Sequence, residues 1–376
     1  MTDTLDISDT EKNDHIKLIT DNAQRVFLWK YDRDREQLVT LYNKGMASQW
    51  NSVTDLDWST DVDPEKLVTE SETPNLFVDL AREAAKVDGS PFAKWSEKEF
   101  IALGIETFKT QLSQFMHGEQ GAMMVAAKIV ETVPWIDAKY YAATQTMDEA
   151  RHTEVFAKYL HTKLGGQYPM SPFLEASIDA LITDSRWDIS YLGMQIVIES
   201  LALAAFGSMV RATEEPLLKK LLRYVMSDEA RHVAFGILSL QEFYENLSDA
   251  EIKERQEFMA ENTLRSRQRG GFDPEMFNRL GIDMNAALPS ILEASQKLQK
   301  SQFNGFQRGF FSKLVPNVRR IGLLDRNDGY LRKLWEEAGL MQYEFADDTA
   351  EDYETYDEVA KDRAAMSSGR AATAAS

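Results

Sequence analysis

Apolar residues recur at every third or fourth position through most of residues 96–245, the period of helices buried along one face. The two-residue alternation of a β-strand is found nowhere in the chain. Breaks fall at Pro134, at Gly165-Gly166 through Pro169 and Pro172, and at Glu214-Glu215-Pro216. The pattern predicts an all-α fold in which residues 96–245 form a bundle. Residues 1–95 read as an N-terminal extension. Its first 15 residues are polar and expected to be disordered, and 16–44 are weakly helical. The stretch "QWNSVTDLDWSTDVDPEKL" is expected to be extended and packed on the core by Trp50 and Trp58, and a helix is expected over Asn75–Val87. Residues 246–343 predict further helices packed on the bundle, at Ser248–Arg267, Pro274–Leu280, Ala286–Arg308 and Tyr330–Ala338. Residues 344–376 turn acidic, then small and polar, and read as a disordered tail.

The bundle pattern is violated at a few charged positions. "MDEARHTEVF" and "SDEARHVAFG" share the word DEARH, repeated after 80 residues. Each copy holds Glu-x-x-His: Glu149 with His152, and Glu229 with His232. Residues three apart share a helix face, so both side chains of a pair can point at one metal ion. Two further acids, Glu119 and Glu199, each interrupt an apolar stripe. Charges on a buried face are costly unless they are paired or bind metal.

The spacing ties the four acids together. Glu119 to Glu149 and Glu199 to Glu229 are both 30 residues. Each interval suits a helical hairpin with arms of about 20 Å, and Pro134 and Pro216 lie near the two midpoints. The 50 residues from Glu149 to Glu199 allow a long crossover that brings all four acids into one layer.

One Glu from each of two helices and Glu-x-x-His from each of the other two is the ligand pattern of ferritin-like di-metal carboxylate bundles. The chain resembles that superfamily over roughly residues 96–245, on all six positions. The resemblance implies a ferritin-like four-helix bundle with a long crossover and added N- and C-terminal helices. It implies that Glu119, Glu149 and His152 serve one metal and Glu199, Glu229 and His232 the other, with some carboxylates bridging. It also implies that Asp148 and Asp228 accept hydrogen bonds from the far ring nitrogens of the opposite histidines, with Arg151 and Arg231 balancing their charge. His117 points off the face of Glu119, and His15 and His161 read as solvated.

Composition narrows the chemistry. The chain has 376 residues, 43% of them hydrophobic, enough for a large core. A net charge of −19 argues against nucleic-acid binding. No cysteine is present, so any metal must be held by His and carboxylate. The polar, acidic start lacks the features of a targeting peptide, and no stretch of about 20 apolar residues is read in the sequence, so no helix is expected to span a membrane. A cytoplasmic location is the expectation.

Mixed Glu/His ligation suits two iron ions, with manganese acceptable at one position. The resemblance then implies an O2-activating di-iron oxidase or monooxygenase acting on a small apolar or aromatic organic substrate. An external electron-donor protein, a ferredoxin or reductase, is expected because no flavin or iron–sulfur motif is present. Ala122, Met123, Phe156, Leu203 and Phe206 lie on or near the ligand faces and are candidate pocket residues. A homodimer stays open.

Some members of the superfamily fit less well. Ribonucleotide reductase small subunits carry a tyrosine one turn after the first His, where this chain has Phe156. Related ligand-binding oxidases form a Val–Tyr crosslink, and the matching places hold Ala122 and Met194. "QWNSVTDLDWS" nevertheless resembles the segment that leads into the bundle of those oxidases. Hydrocarbon hydroxylases place Thr where Leu203 stands, and arylamine N-oxygenases place His where Val225 stands. Iron-storage proteins are small single bundles, whereas this chain adds long flanks on both sides.

Overall fold

A computed structural model describes residues 19–73, 75–267, 274–298, 303–346 and 356–374. Among the described residues the regular structure is helical, as the apolar period predicts. Four long helical rods build the core. They are α4 (Glu97–Thr132), α5 (Ile136–Lys163), the rod running from α7 (Trp187–Tyr191) through a π-helical segment (Leu192–Ile198) into α8 (Glu199–Ala212), and α9 (Pro216–Tyr244).

Local sequence sets where the rods begin and end. Ser96 and Glu99 form a capping box that starts α4. Pro134 follows its end and forces the chain to turn. α5 closes where Gly165 adopts φ 73° and the Gly166 N–H returns to the Leu160 carbonyl at 3.0 Å, a glycine-based C-terminal cap. α9 opens with Pro216 in its first turn, and the Glu215 carboxylate accepts the N–H groups of Leu217 and Leu218 at 2.8 and 2.7 Å.

α4 and α5 pack as one antiparallel pair, and α8 and α9 as the other. The crossover contains α6 (Pro172–Thr183), which packs along α4. Its C-terminus is tied to α4 by Lys128, whose buried ammonium donates to the carbonyls of Leu181 and Ile182 at 3.2 and 2.6 Å and also to that of Asp184. Two glycines set how closely α6 can approach. A Cβ on Gly121 would meet Ile178 at 2.3 Å, and one on Gly193 would meet Leu181 at 2.1 Å.

Trp187–Ala212 corrects one expectation from the sequence. Its 26 residues are long and apolar enough to cross a membrane by length and composition alone. Yet most of it is buried inside the protein, and Glu199 lies within it. The segment is a core helix whose apolar run is interrupted in the sequence by Glu199.

The flanks pack on the bundle. α1 (Glu36–Ala47) lies against α5 and α9, and α2 (Pro64–Thr69) against α4. α3 (Leu76–Ala84) lies against α4 and against the later helix at Met284–Leu298. Residues 19–35 are not helical, so the weak helical pattern over 16–44 yields a helix only from Glu36. After the bundle come α10 (Asp249–Arg267), α11 (Pro274–Arg279), α12 (Met284–Leu298), α13 (Gly305–Arg320) and α14 (Arg326–Glu337). The single helix expected over Ala286–Arg308 therefore differs from the structure: Asn304 and Gln307 form a new capping box that starts α13.

The C-terminal segment also differs from expectation. Residues 1–15, read as disordered, and residues 347–355 of the expected tail lie outside the described residues, but α15 (Glu358–Ala374) is a helix. Its first turn docks on α9. Val359 is buried, Glu358 pairs with Arg223, and the Asp362 carboxylate accepts the Tyr224 hydroxyl at 2.8 Å. A composition poor in large apolar residues hid this helix, because ion pairs carry most of its docking.

Candidate metal centre

The repeated word sets two helix faces, and the hairpins return the lone acids to meet them. Glu119 comes from α4, Glu149 and His152 from α5, Glu199 from the junction of the π segment with α8, and Glu229 and His232 from α9. All six are buried, the most exposed being Glu119 at 6%. Two groups of donor atoms form, Glu119–Glu149–His152–Glu229 and Glu149–Glu199–Glu229–His232, each with its atoms within 4.8 Å of one another.

Glu149 and Glu229 belong to both groups. His152 Nδ1 lies 3.2 Å from Glu149 Oε2, 3.1 Å from Glu229 Oε1 and 3.3 Å from Glu119 Oε2. His232 Nδ1 lies 3.1 Å from Glu149 Oε1, 2.9 Å from Glu229 Oε2 and 3.8 Å from Glu199 Oε1. The shared acids thus turn one oxygen toward each histidine, and the lone acids sit at opposite ends.

The outward ring nitrogens are held across the bundle. His152 Nε2 lies 3.0 Å from Asp228 Oδ2, and His232 Nε2 lies 3.4 Å from Asp148 Oδ2. Arg151 donates to Asp148 at 2.5 Å and to Asp228 at 3.0 Å, while Arg231 donates to Asp228. Such partners fix ring orientation and leave Nδ1 free to act inward.

Several contributors carry no signal in the repeated word. Trp50 donates its indole N–H to Asp228 at 2.8 Å, and Gln49 donates to Asp148 at 2.9 Å. Trp50 therefore packs and bonds, whereas Trp58 donates to the Ser52 carbonyl at 2.6 Å, within its own loop. Gln145 donates to Glu149 and Glu199, and Gln195 donates to Gln145. A signal for the glutamines did exist: each lies four residues before an acid, on its face.

The electrostatics reflect four buried carboxylates meeting two imidazoles. Burial raises Glu119 and Glu199 well above the ordinary carboxylate range, and the charge of Glu229 adds to the effect. Burial also opposes ionisation of Glu149 and Glu229, but the facing histidines prevail and both lie below their ordinary value. Burial disfavours the imidazolium forms of His152 and His232, yet the surrounding carboxylates raise both well above the ordinary histidine value. Burial likewise opposes the charge on Asp228, and Arg231, His152 and Arg151 hold it low. The two rings and the two lone acids thus hold protons more tightly than free groups do, in the place where a bound cation would bring positive charge. The donor set, all oxygen and imidazole nitrogen with every group converging, fits a pair of first-row transition ions.

The candidate pocket residues fall in two apolar clusters. Phe156 and Phe206 are fully buried and stack at 5.7 Å between ring centroids, and Phe115 packs on both at 6.0 and 4.8 Å. These rings belong to an apolar core on one side of the acid layer. Ala122 and Leu203 are buried in a second apolar cluster, and Met123 is half-buried. His117 faces away, its Nε2 at 2.9 Å from the Tyr168 carbonyl, and His161 is exposed. His15 lies outside the described residues.

No family model and no curated protein matches the chain. Solved structures do. The chain is similar to R2-like ligand-binding oxidases. One is a variant with an anaerobically reconstituted Mn/Fe cofactor, at 16% identity and a TM-score of 0.44, covering 76% of this chain and 93% of that one. Another is the same variant with an aerobically reconstituted Mn/Fe cofactor, at 16% identity and a TM-score of 0.38, covering 82% and 92%.

Proposed function

We propose that the six converging donors hold two metal ions, iron in both positions with manganese acceptable in one. On this reading the protein is an O2-activating oxidase or monooxygenase, acting on a small apolar or aromatic substrate with electrons from an external ferredoxin or reductase. The observation that carries the reading is the shared pair of acids: Glu149 and Glu229 each turn one oxygen to His152 and the other to His232. A single-ion site has no use for that sharing.

Glu119, Glu149, Glu229 and His152 would hold one ion, and Glu149, Glu199, Glu229 and His232 the other. When bound, such a pair supplies reduction of O2 and oxidation of an adjacent substrate. The chain's own residues do the rest. Asp148 and Asp228 keep the Nε2 protons, so that each ring offers Nδ1 inward. The apolar cores on both sides of the acid layer exclude water. They also suit an apolar substrate, admitted by movement of side chains such as Met123 and Leu203. The Trp50–Asp228–His152 hydrogen bonds give incoming electrons a bonded line to the cluster.

The test begins with metal content. Purified protein should hold close to two irons per chain, and Glu149→Ala should lose them while a surface Glu variant keeps them. Anaerobic Fe(II) followed by O2 should give one round of oxidation that repeats only after added reductant. Continued accumulation of ferric iron would point to storage instead.

A further inference from the structure

The two halves of the centre share their acids but not their support. Gln145 Nε2 lies 2.9 Å from Glu149 Oε1 and 3.1 Å from Glu199 Oε1. Those are the same two oxygens that face His232 Nδ1. The side chain cannot be flipped without loss, because its carbonyl oxygen accepts the Gln195 amide at 2.9 Å. Both glutamines are fully buried.

Gln195 is itself fixed by backbone geometry. It lies in the π segment, one turn before Glu199, and packs against Gly236 of α9. A Cβ at Gly236 would stand 2.4 Å from the Cβ of Gln195. Only glycine there lets the two rods approach closely enough for Gln195 to reach Gln145. The His152 half has nothing comparable. One turn before Glu119 stands Phe115, and one turn before Glu229 stands Val225.

We infer that Gln145, oriented by Gln195, is a positioning residue that makes the two metal positions unequal by supporting only the one beside His232. The inference rests on the di-metal reading above. Physically, the amide N–H groups stabilise the ionised form of a carboxylate that burial pushes toward protonation, and they fix its rotation. Each acid keeps its remaining lone pairs for a cation next to His232. Removing a hydrogen-bond partner of a metal ligand commonly costs 10- to 100-fold in affinity, and here the loss should fall on one ion.

The experiment is an anaerobic Fe(II) titration with competition from a colorimetric chelator, on wild type, Gln145→Leu and Gln195→Leu. Wild type should bind two irons. Gln145→Leu should keep one at wild-type affinity and bind the second about 10- to 100-fold more weakly. Gln195→Leu should shift the same step by less. In a Glu199→Ala background, Gln145→Leu should leave the remaining iron unchanged, as expected when both act on one position. Equal weakening of both irons, or no change in either, would overturn the inference, since a merely structural role moves both alike. If wild type binds no iron, the di-metal reading fails instead. Should Gln145→Leu not fold, Gln195→Leu and Gly236→Ala carry the same prediction.

Discussion

The His152 and His232 halves of the centre differ less in what they offer a metal than in what stands behind it. Each half presents one histidine, one lone acid and two shared acids. Behind His152, Asp228 accepts from the ring, Trp50, Arg151 and Arg231. Behind His232, Asp148 accepts from the ring, Gln49 and Arg151. Arg151 uses both terminal nitrogens, reaching Gln49 as well at 2.7 Å, whereas Arg231 leaves Nε and Nη1 without protein partners. Twofold ligation can therefore be written by a repeated word while the supporting groups, drawn from elsewhere in the chain, make the halves unlike.

The largest effect should come from erasing the shared part. Glu229→Ala removes a donor from both halves, and metal content should fall from about two ions to none, read by elemental analysis after desalting. Retention of one tightly held ion would show that Glu229 serves a single half. Next, Glu119→Ala and Glu199→Ala should each leave about one ion per chain; if either loses both, the halves are not separable.

Proton competition should follow. The raised values of Glu119, Glu199, His152 and His232 mean that metal must displace protons. Groups with raised values stabilise the metal-free fold at low pH and lose that contribution as pH climbs through them. The melting temperature gained on adding metal should therefore widen from about pH 6 to about pH 8. A constant or shrinking gap would contradict competition between metal and protons.

Asp228→Asn and Asp148→Asn should weaken metal binding about 10- to 100-fold, the former more, because Asp228 holds more partners. Asp228 also carries a lowered value, so its share of metal-free stability is present near neutrality and is lost as acid protonates it. Equal effects from the two variants would remove the difference drawn between the halves. Trp50→Phe should be mildest: loss of one hydrogen bond to a charged group, about 1.5–3 kcal/mol of stability by calorimetry, with both ions retained.

Much of the bundle could be read from the chain because it rests on periodicity and punctuation. Pro134, Pro216 and Gly165 stop helices for steric reasons that hold in any context, and equal spacing brought the acids level. What escaped the sequence depends on contacts between distant segments. The π segment leaves no mark in the apolar pattern, since Leu192–Ile198 is apolar except for Gln195. Gln145 shares a face with Glu149 in the sequence, but its partner Gln195 lies 50 residues away and is brought to it by packing against Gly236. α15 reads as a tail because Arg223 and Tyr224, which hold it, lie more than a hundred residues away.

The long apolar rod also bears on how the chain is made. Trp187–Ala212 is covered chiefly by α9 and α13, and both follow it in sequence. A growing chain exposes this rod before its cover exists, and synthesis delivers about 5–20 residues per second. For several seconds the nascent protein carries an unshielded segment greasy enough to attract a membrane or another copy. Release of chains ending between residues 212 and 320 should yield aggregates or chaperone-bound species, and slowing translation there should lower the yield of folded protein.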